Sequence, residues 1–213
     1  MTQSMHTPSR KALSLALVAA ALASVGDFGM LYAGQQAGDP SLGWPAPPPS
    51  TLAVSQWLGA FLIPLYGVGY AALARGLEGR AQSIVYWLGI YTSALGGVIH
   101  AVTGLAILHS PIDATGSAGA FAIAPSSLPF LLPFVLVVII GLLIASAFFA
   151  SAVLRGESVY PRWLGFMNPV SCVVLVICIG LPFDYGWLFL IPMAPNVGSA
   201  AFFALGLSVT EGR

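Results

Sequence analysis

The chain has 213 residues, of which 58% are hydrophobic and 7% are charged. Soluble domains carry about 25% charged residues, so a water-soluble globular fold is excluded. Seven basic and seven acidic residues give a formal net charge of zero. No basic patch of the kind that neutralises nucleic-acid phosphates is present, so no nucleic-acid partner is expected.

A hydrocarbon core of ~30 Å needs about 20 helical residues per crossing. In chain order, apolar runs predict crossings at 13–33, 52–74, 83–108, 129–154, 161–181 and 188–208. These six leave no room for a separate soluble unit. The expected fold is all-α: a polytopic membrane protein, one transmembrane domain over 1–213, built as a bundle of six helices. Arg10 and Lys11 precede the first run, and Arg75 and Arg80 separate the second from the third. Arg155 and Arg162 separate the fourth from the fifth, Arg213 closes the sequence, and the other connections carry no Lys or Arg. Basic residues are retained on the cytoplasmic side during insertion, so both termini are expected to be cytoplasmic, in the plasma (inner) membrane of a bacterium.

The first run resembles a secretory signal, with Ala21-Leu22-Ala23 as a small-residue cleavage site. Its apolar stretch continues to Ala33, however, and that length predicts a retained spanning helix. The outer connections at 34–51 and 109–127 are long. The first holds Pro45, Pro47, Pro48 and Pro49, and the second is rich in Gly, Ala and Ser. Loops of this length serve as lids, binding loops or slack tethers. Trp57-Leu58-Gly59, followed by Pro64, echoes Trp163-Leu164-Gly165, followed by Pro169. The helices carrying them run in opposite directions, which points to two inverted three-helix halves. Trp also marks helix starts at interfaces in general, as at Trp87. Cys172 and Cys178, six residues apart on one helix, point about 120° away from each other and serve as apolar fillers.

Function has to be argued from polar residues placed inside the apolar runs. An ionised Asp27 would cost about 2.5–3.5 kcal/mol near the bilayer centre. At ~1.5 Å per residue it lies about 6 Å to the outer side of the midplane, and His100 falls at the same depth. Small residues surround both: Ala20, Ala23, Ser24 and Gly34 near Asp27, and Ser93, Gly96, Gly97, Thr103 and Gly104 near His100. Such stripes let helices approach closely. A carboxylate meeting an imidazole there can hold or pass a proton, or simply lock two helices together. Asn168 precedes Pro169 and Asn196 follows Pro195, within about one turn of the midplane. Proline frees a backbone carbonyl that a side chain, water or ligand must satisfy. Pro-interrupted helices at matched depth are the sequence sign of a transporter site. Pro64, with Tyr66 and Tyr70 nearby, could add a third break. Trp57 reads as an interfacial belt residue, and Gln56 and His109 lie near the same outer interface. His109 could face one vestibule with Asp113, although an exposed interfacial histidine is the commoner case.

Several chemistries find no residues to support them. A bis-histidine haem needs a second deep histidine, yet His6 lies in the tail and His109 about 180° around the same helix. Asp27 and His100 supply two of the three or four ligands that zinc needs. There is no phosphate loop and no HExxH or GxSxG motif. No metal and no cofactor is therefore called for, and no catalytic residue is assigned.

Tyr160-Pro161-Arg162-Trp163, continuing to Asn168-Pro169, and Ala194-Pro195-Asn196 in the next helix, resemble an uncharacterised bacterial family of small multi-pass membrane proteins. Gly26-Asp27 adds a further match. The resemblance covers mainly the last two helices, and it implies an architecture without assigning an activity. The leading expectation is a non-enzymatic binding or transport protein for a small solute or amphiphile. Its polar site would lie in the outer half, lined by Asp27, His100, Asn168, Asn196 and Thr103. An intramembrane enzyme acting on a lipid, isoprenoid or quinone is the alternative, with Asp27 and His100 as acid–base couple. A structural or accessory subunit is a third. The bilayer, a second copy of the chain, or a membrane partner subunit are the expected partners.

Overall fold

The computed structural model describes residues 6–38, 50–109, 128–183 and 190–210. The proline-rich and Gly/Ala/Ser-rich connections, Asp113 and Arg213 lie outside those residues, as do the surroundings of Gly34 and the side chain of His109. Among the described residues the chain is all-helical, without strands. α1 spans Arg10–Gly38, α2 Ser50–Leu62, α3 Tyr66–Ala74, α4 Gly79–His109 and α5 Leu128–Arg155. α6 spans Trp163–Phe166, α7 Pro169–Gly180 and α8 Ile191–Ser208.

Among the described residues, five segments are long and apolar enough to cross a membrane: Arg10–Tyr32, Ser50–Ala74, Gly79–Leu105, Pro129–Arg155 and Ile191–Ser208. The predicted fifth crossing at 161–181 is instead divided into α6 and α7, and the 12 residues of α7 rise only about 18 Å. The cause is Pro169, which lacks an N–H and whose ring would strike the carbonyl four residues back. Asn168 turns to φ −70°, ψ 169° and starts a new helix, its side chain accepting from the Ser171 N–H at 3.1 Å. Its amide also donates to the Gly165 carbonyl at 3.2 Å, one of the carbonyls the break leaves unpaired. Pro64 acts more mildly, putting a 3-10 turn at Ile63–Leu65 between α2 and α3 without ending the crossing.

The helices form a closed ring. α1 packs on α2, α3 and α8; α4 packs on α2, α3 and α5; α6 and α7 complete the circuit from α5 to α8. The two arginine-bearing connections are tied together at one end. Glu78 N–H donates to the Glu157 carbonyl at 3.1 Å, and Val159 N–H to the Gly76 carbonyl at 2.9 Å. Gly79 (φ 58°) and Gly156 (φ 80°) supply the left-handed turns these connections need. His6 N–H donates to the Arg75 carbonyl at 3.1 Å, which brings the start of α1 to the same end. Six of the seven basic residues therefore share one end of the bundle, which we call the arginine end.

That end is also where the core is densest. Phe149, Phe202 and Phe203 are wholly buried, with Phe149 edge-on to Phe202 at 5.2 Å and close to Tyr160 at 5.6 Å. The Tyr160 hydroxyl donates to the Leu73 carbonyl at 2.7 Å. Tyr70 stands edge-on to Phe203 at 5.3 Å and forms the inner limit of this aromatic plug. The outward faces are apolar: Phe130, Leu136, Ile140 and Leu143 on α5, and Trp87 and Val98 on α4, are exposed. A water-facing surface does not carry such a belt, whereas a lipid-facing one requires it.

Candidate functional site

Above the aromatic plug, α1, α3, α4 and α8 bring polar side chains to a point. α1 can come close because its inward face is nearly all alanine; Ala16, Ala20 and Ala23 are fully buried. α2 is wedged between α1 and α4, and Gly59 makes this crossing feasible. A Cβ at Gly59 would collide with the His100 ring. Gly97 of α4 similarly admits the Pro64 turn, with the Pro64 ring 2.7 Å from where its Cβ would stand.

Asp27, His100 and Asn196 are all buried, at 8%, 6% and 6% exposure. The side chains form one unbroken chain of hydrogen bonds. His100 Nε2 meets the Ser55 carbonyl at 3.2 Å, and His100 Nδ1 meets Asp27 Oδ1 at 3.2 Å. Asn196 Nδ2 donates to Asp27 Oδ2 at 2.6 Å, and the Tyr66 hydroxyl donates to Asn196 Oδ1 at 2.7 Å. A separate bond, from Gln56 Nε2 to the Ala101 carbonyl at 3.0 Å, fixes α2 against α4 beside it.

These partners set a proton count. The Ser55 carbonyl can only accept, so His100 Nε2 carries a hydrogen. Asp27 Oδ2 accepts from Asn196 and is not the protonated oxygen. One further proton must then lie between His100 Nδ1 and Asp27 Oδ1, whether written as imidazolium with carboxylate or as imidazole with carboxylic acid. Either way the pair is neutral overall, which removes the cost of a bare charge in a low-dielectric interior.

The chain of bonds opens onto a cavity of about 340 Å³. Its polar wall includes Asp27, His100, Asn196, Thr92, Ser93 and Thr103, and its floor is Tyr66 and Tyr70. Met30, Ile63, Ile99 and a row on α5 (Val135, Val138, Ile139 and Leu142) make the rest apolar. That combination, a small concave site with apolar walls and a few convergent polar groups, is the usual form of a ligand pocket. α5 and α8 both line it; they meet through Phe149 and Phe202 at the arginine end, while their backbones stay apart.

Of the residues singled out in the sequence, Asp27, His100, Asn196 and Thr103 line this cavity together. Asn168 does not, because it caps α7. The small-residue stripe on α4 faces the α2 break, with Ile63 at Gly96 and Pro64 at Gly97, while α1 reaches His100 through Asp27. Trp57 is exposed, as a belt residue would be, and Gln56 is buried. Cys172 and Cys178 are both free thiols. Tyr66, which ends the hydrogen-bond chain, carries only a weak sequence signal, its place two residues after Pro64. The Ser55 carbonyl carries no sequence signal at all. Both Trp-Leu-Gly stretches precede a proline break, but α2–α3 contributes to the cavity and α6–α7 does not. No cluster of three or more metal-ligating side chains occurs among the described residues.

No curated protein and no solved structure matches the chain. The resemblance first visible in the last two helices extends over nearly its whole length. The chain belongs to the family of unknown function DUF6796, whose model matches residues 3–211.

Proposed function

We propose that this is a plasma-membrane protein that binds, and carries across part of the bilayer, a small amphiphilic solute, without catalysing a reaction. The observation that carries this reading is the cavity of about 340 Å³ with its one polar wall. Apolar sides and a clustered head-group site fit a molecule with an apolar body and one polar group. α5 and α8 meet through Phe149 and Phe202 at the arginine end but their backbones stay apart, which supports entry between them from the lipid side beyond that contact. In this reading the arginine end faces the cytoplasm, both termini lie inside, and α6–α7 is the broken one of six crossings. The cavity then lies in the outer half, separated from the cytoplasm by the aromatic plug. Asp27 and His100 hold the proton, while Asn196 orients the solute's head group.

The test is ligand-dependent thermal stabilisation of the purified protein in lipid nanodiscs, using octylamine, octanol and octanoate as probes. At least one probe is expected to raise the melting temperature of the wild type. None should raise that of Val138→Trp, which fills the cavity from α5 without touching the hydrogen-bond chain. If no probe stabilises the wild type, the polar wall is a packing device and the reading fails. A lipid or isoprenoid converted to product in the same samples would move the assignment to the enzyme class.

A further inference from the structure

Resting on the reading of the cavity as a ligand site, we infer that its ligand is a protonated alkylamine, and that binding displaces the proton held by Asp27 and His100. Four of the six hydroxyl groups around the cavity have their hydrogens committed to partners in the protein, those of Tyr70 and Thr103 being the other two. Thr92 Oγ1 donates to the Leu88 carbonyl at 2.7 Å, and Ser93 Oγ to the Gly89 carbonyl at 2.6 Å. Ser199 Oγ donates to the Pro195 carbonyl at 2.7 Å, and the Tyr66 hydroxyl to Asn196 at 2.7 Å. Each of these four groups lines the cavity with its hydrogen engaged, so each offers the ligand only lone pairs. The carboxylate of Asp27 adds further acceptors. On the donor side, Asn196 keeps the second hydrogen of its amide, and Thr103 and Tyr70 their hydroxyl hydrogens.

A wall in which acceptors outnumber donors, with a carboxylate at its centre, favours a ligand head group made of donors. An alkylammonium has three N–H donors and no acceptor. An alcohol head group brings one donor and two lone pairs, and a carboxylate brings only acceptors, so both leave polar atoms unmatched in a dry site. The rings of Tyr66 and Tyr70 at the floor add attraction for a cation.

Charge balance then dictates exchange. With its shared proton, the Asp27–His100 pair is neutral. A bound ammonium beside that pair would leave one uncompensated positive charge. If the proton departs to water, Asp27 remains a carboxylate, His100 a neutral imidazole, and the ammonium restores neutrality. Its N–H groups take over the two acceptors that the proton had bridged, Asp27 Oδ1 and His100 Nδ1. One cation enters and one proton leaves, and no covalent bond other than that to the proton changes. Among the described residues, α2 and α8 contain no titratable residue, and α5 carries only Arg155 at its far end. Tyr66 and Tyr70 are the remaining titratable groups facing the cavity, with Cys172 of α7 behind Tyr70.

The experiment is calorimetric titration of octylamine, and of octanol as its neutral counterpart, into the protein in phosphatidylcholine nanodiscs at neutral pH. Running it in buffers of different ionisation enthalpy gives the number of protons released. Octylamine is expected to release about one proton per molecule bound, and octanol none, with octanol weaker by about tenfold or more. In Asp27→Asn, proton release should vanish and octylamine affinity should fall to that of octanol. If octanol binds as tightly as octylamine and no proton is released, the amine inference is overturned while the cavity remains a ligand site. If neither binds to the wild type, the inference falls together with the reading on which it rests.

Discussion

Replacing Gly59 with alanine gives opposite predictions from helix propensity and from the site. In a helix interior, alanine is favoured over glycine by about 0.8–1.0 kcal/mol. Gly59 lies within α2, and its backbone is not among the positive-φ glycines, so propensity alone expects a gain. The structure expects a loss, because the new Cβ would collide with three atoms of the His100 ring. The ring cannot yield cheaply. A shift of about 1 Å would stretch the 3.2 Å contacts to Ser55 and Asp27 beyond hydrogen-bonding range. Overpacking costs about 1–3 kcal/mol and the two lost hydrogen bonds about 1 kcal/mol each, which against the propensity gain of about 1 kcal/mol leaves a net loss of about 2–4 kcal/mol. For a chain of this size, that corresponds to a melting point lower by roughly 5–15 °C. Thermal unfolding in nanodiscs measures it, and the His100→Ala background isolates the cause. Without the ring the collision is gone, and Gly59→Ala should become neutral or stabilising. A stabilising Gly59→Ala in the wild-type background, or an equal loss in both backgrounds, would refute the packing described for this site.

Tyr66→Phe removes the donor to Asn196 Oδ1 and leaves a buried acceptor unpaired, with an expected loss of about 1–3 kcal/mol in thermal unfolding. Asn168→Ala removes the cap of α7 and should cost about 0.5–2 kcal/mol, while octylamine affinity stays at the wild-type value, since Asn168 does not line the cavity. In a background lacking Cys172 and Cys178, Glu78→Cys and Arg155→Cys should both react with impermeant thiol reagents only from the cytoplasmic side. Reaction of either from the outside would reverse the orientation.

Fold class was legible in the sequence because hydropathy is a bulk property of each run. The predicted crossings at 13–33, 52–74, 83–108, 129–154 and 188–208 overlap the five long apolar segments found among the described residues. The break in the fifth run could not be read from the mean hydropathy of 161–181, because helix continuity is a local steric property that Pro169 abolishes. The equal depth of Asp27 and His100 followed from counting residues along two helices, a count that tolerates one turn of error, but whether they touch did not. Which asparagine would join them did not follow. Asn168 and Asn196 look alike in sequence, each beside a proline near the same depth. Asn168 precedes its proline and so becomes a cap, while Asn196 follows its proline and keeps its side chain for Asp27. The role of Ser55 could not be read at all, because a backbone carbonyl has no letter in the sequence.

The central claim is that the buried Asp27–His100 pair is a neutral, proton-holding part of a ligand site and not a charge lock. Thermal stability of Asp27→Asn in nanodiscs, with and without octylamine, tests it most directly. The introduced carboxamide would reproduce the neutral pair, its NH2 donating to His100 Nδ1 and its oxygen accepting from Asn196. Asp27→Asn is therefore predicted to stay folded, with stability changed by less than about 1 kcal/mol, while the stabilisation by octylamine expected of the wild type disappears. Loss of about 3–5 kcal/mol, the cost of breaking a buried ion pair, would contradict the claim and make the pair a lock between helices.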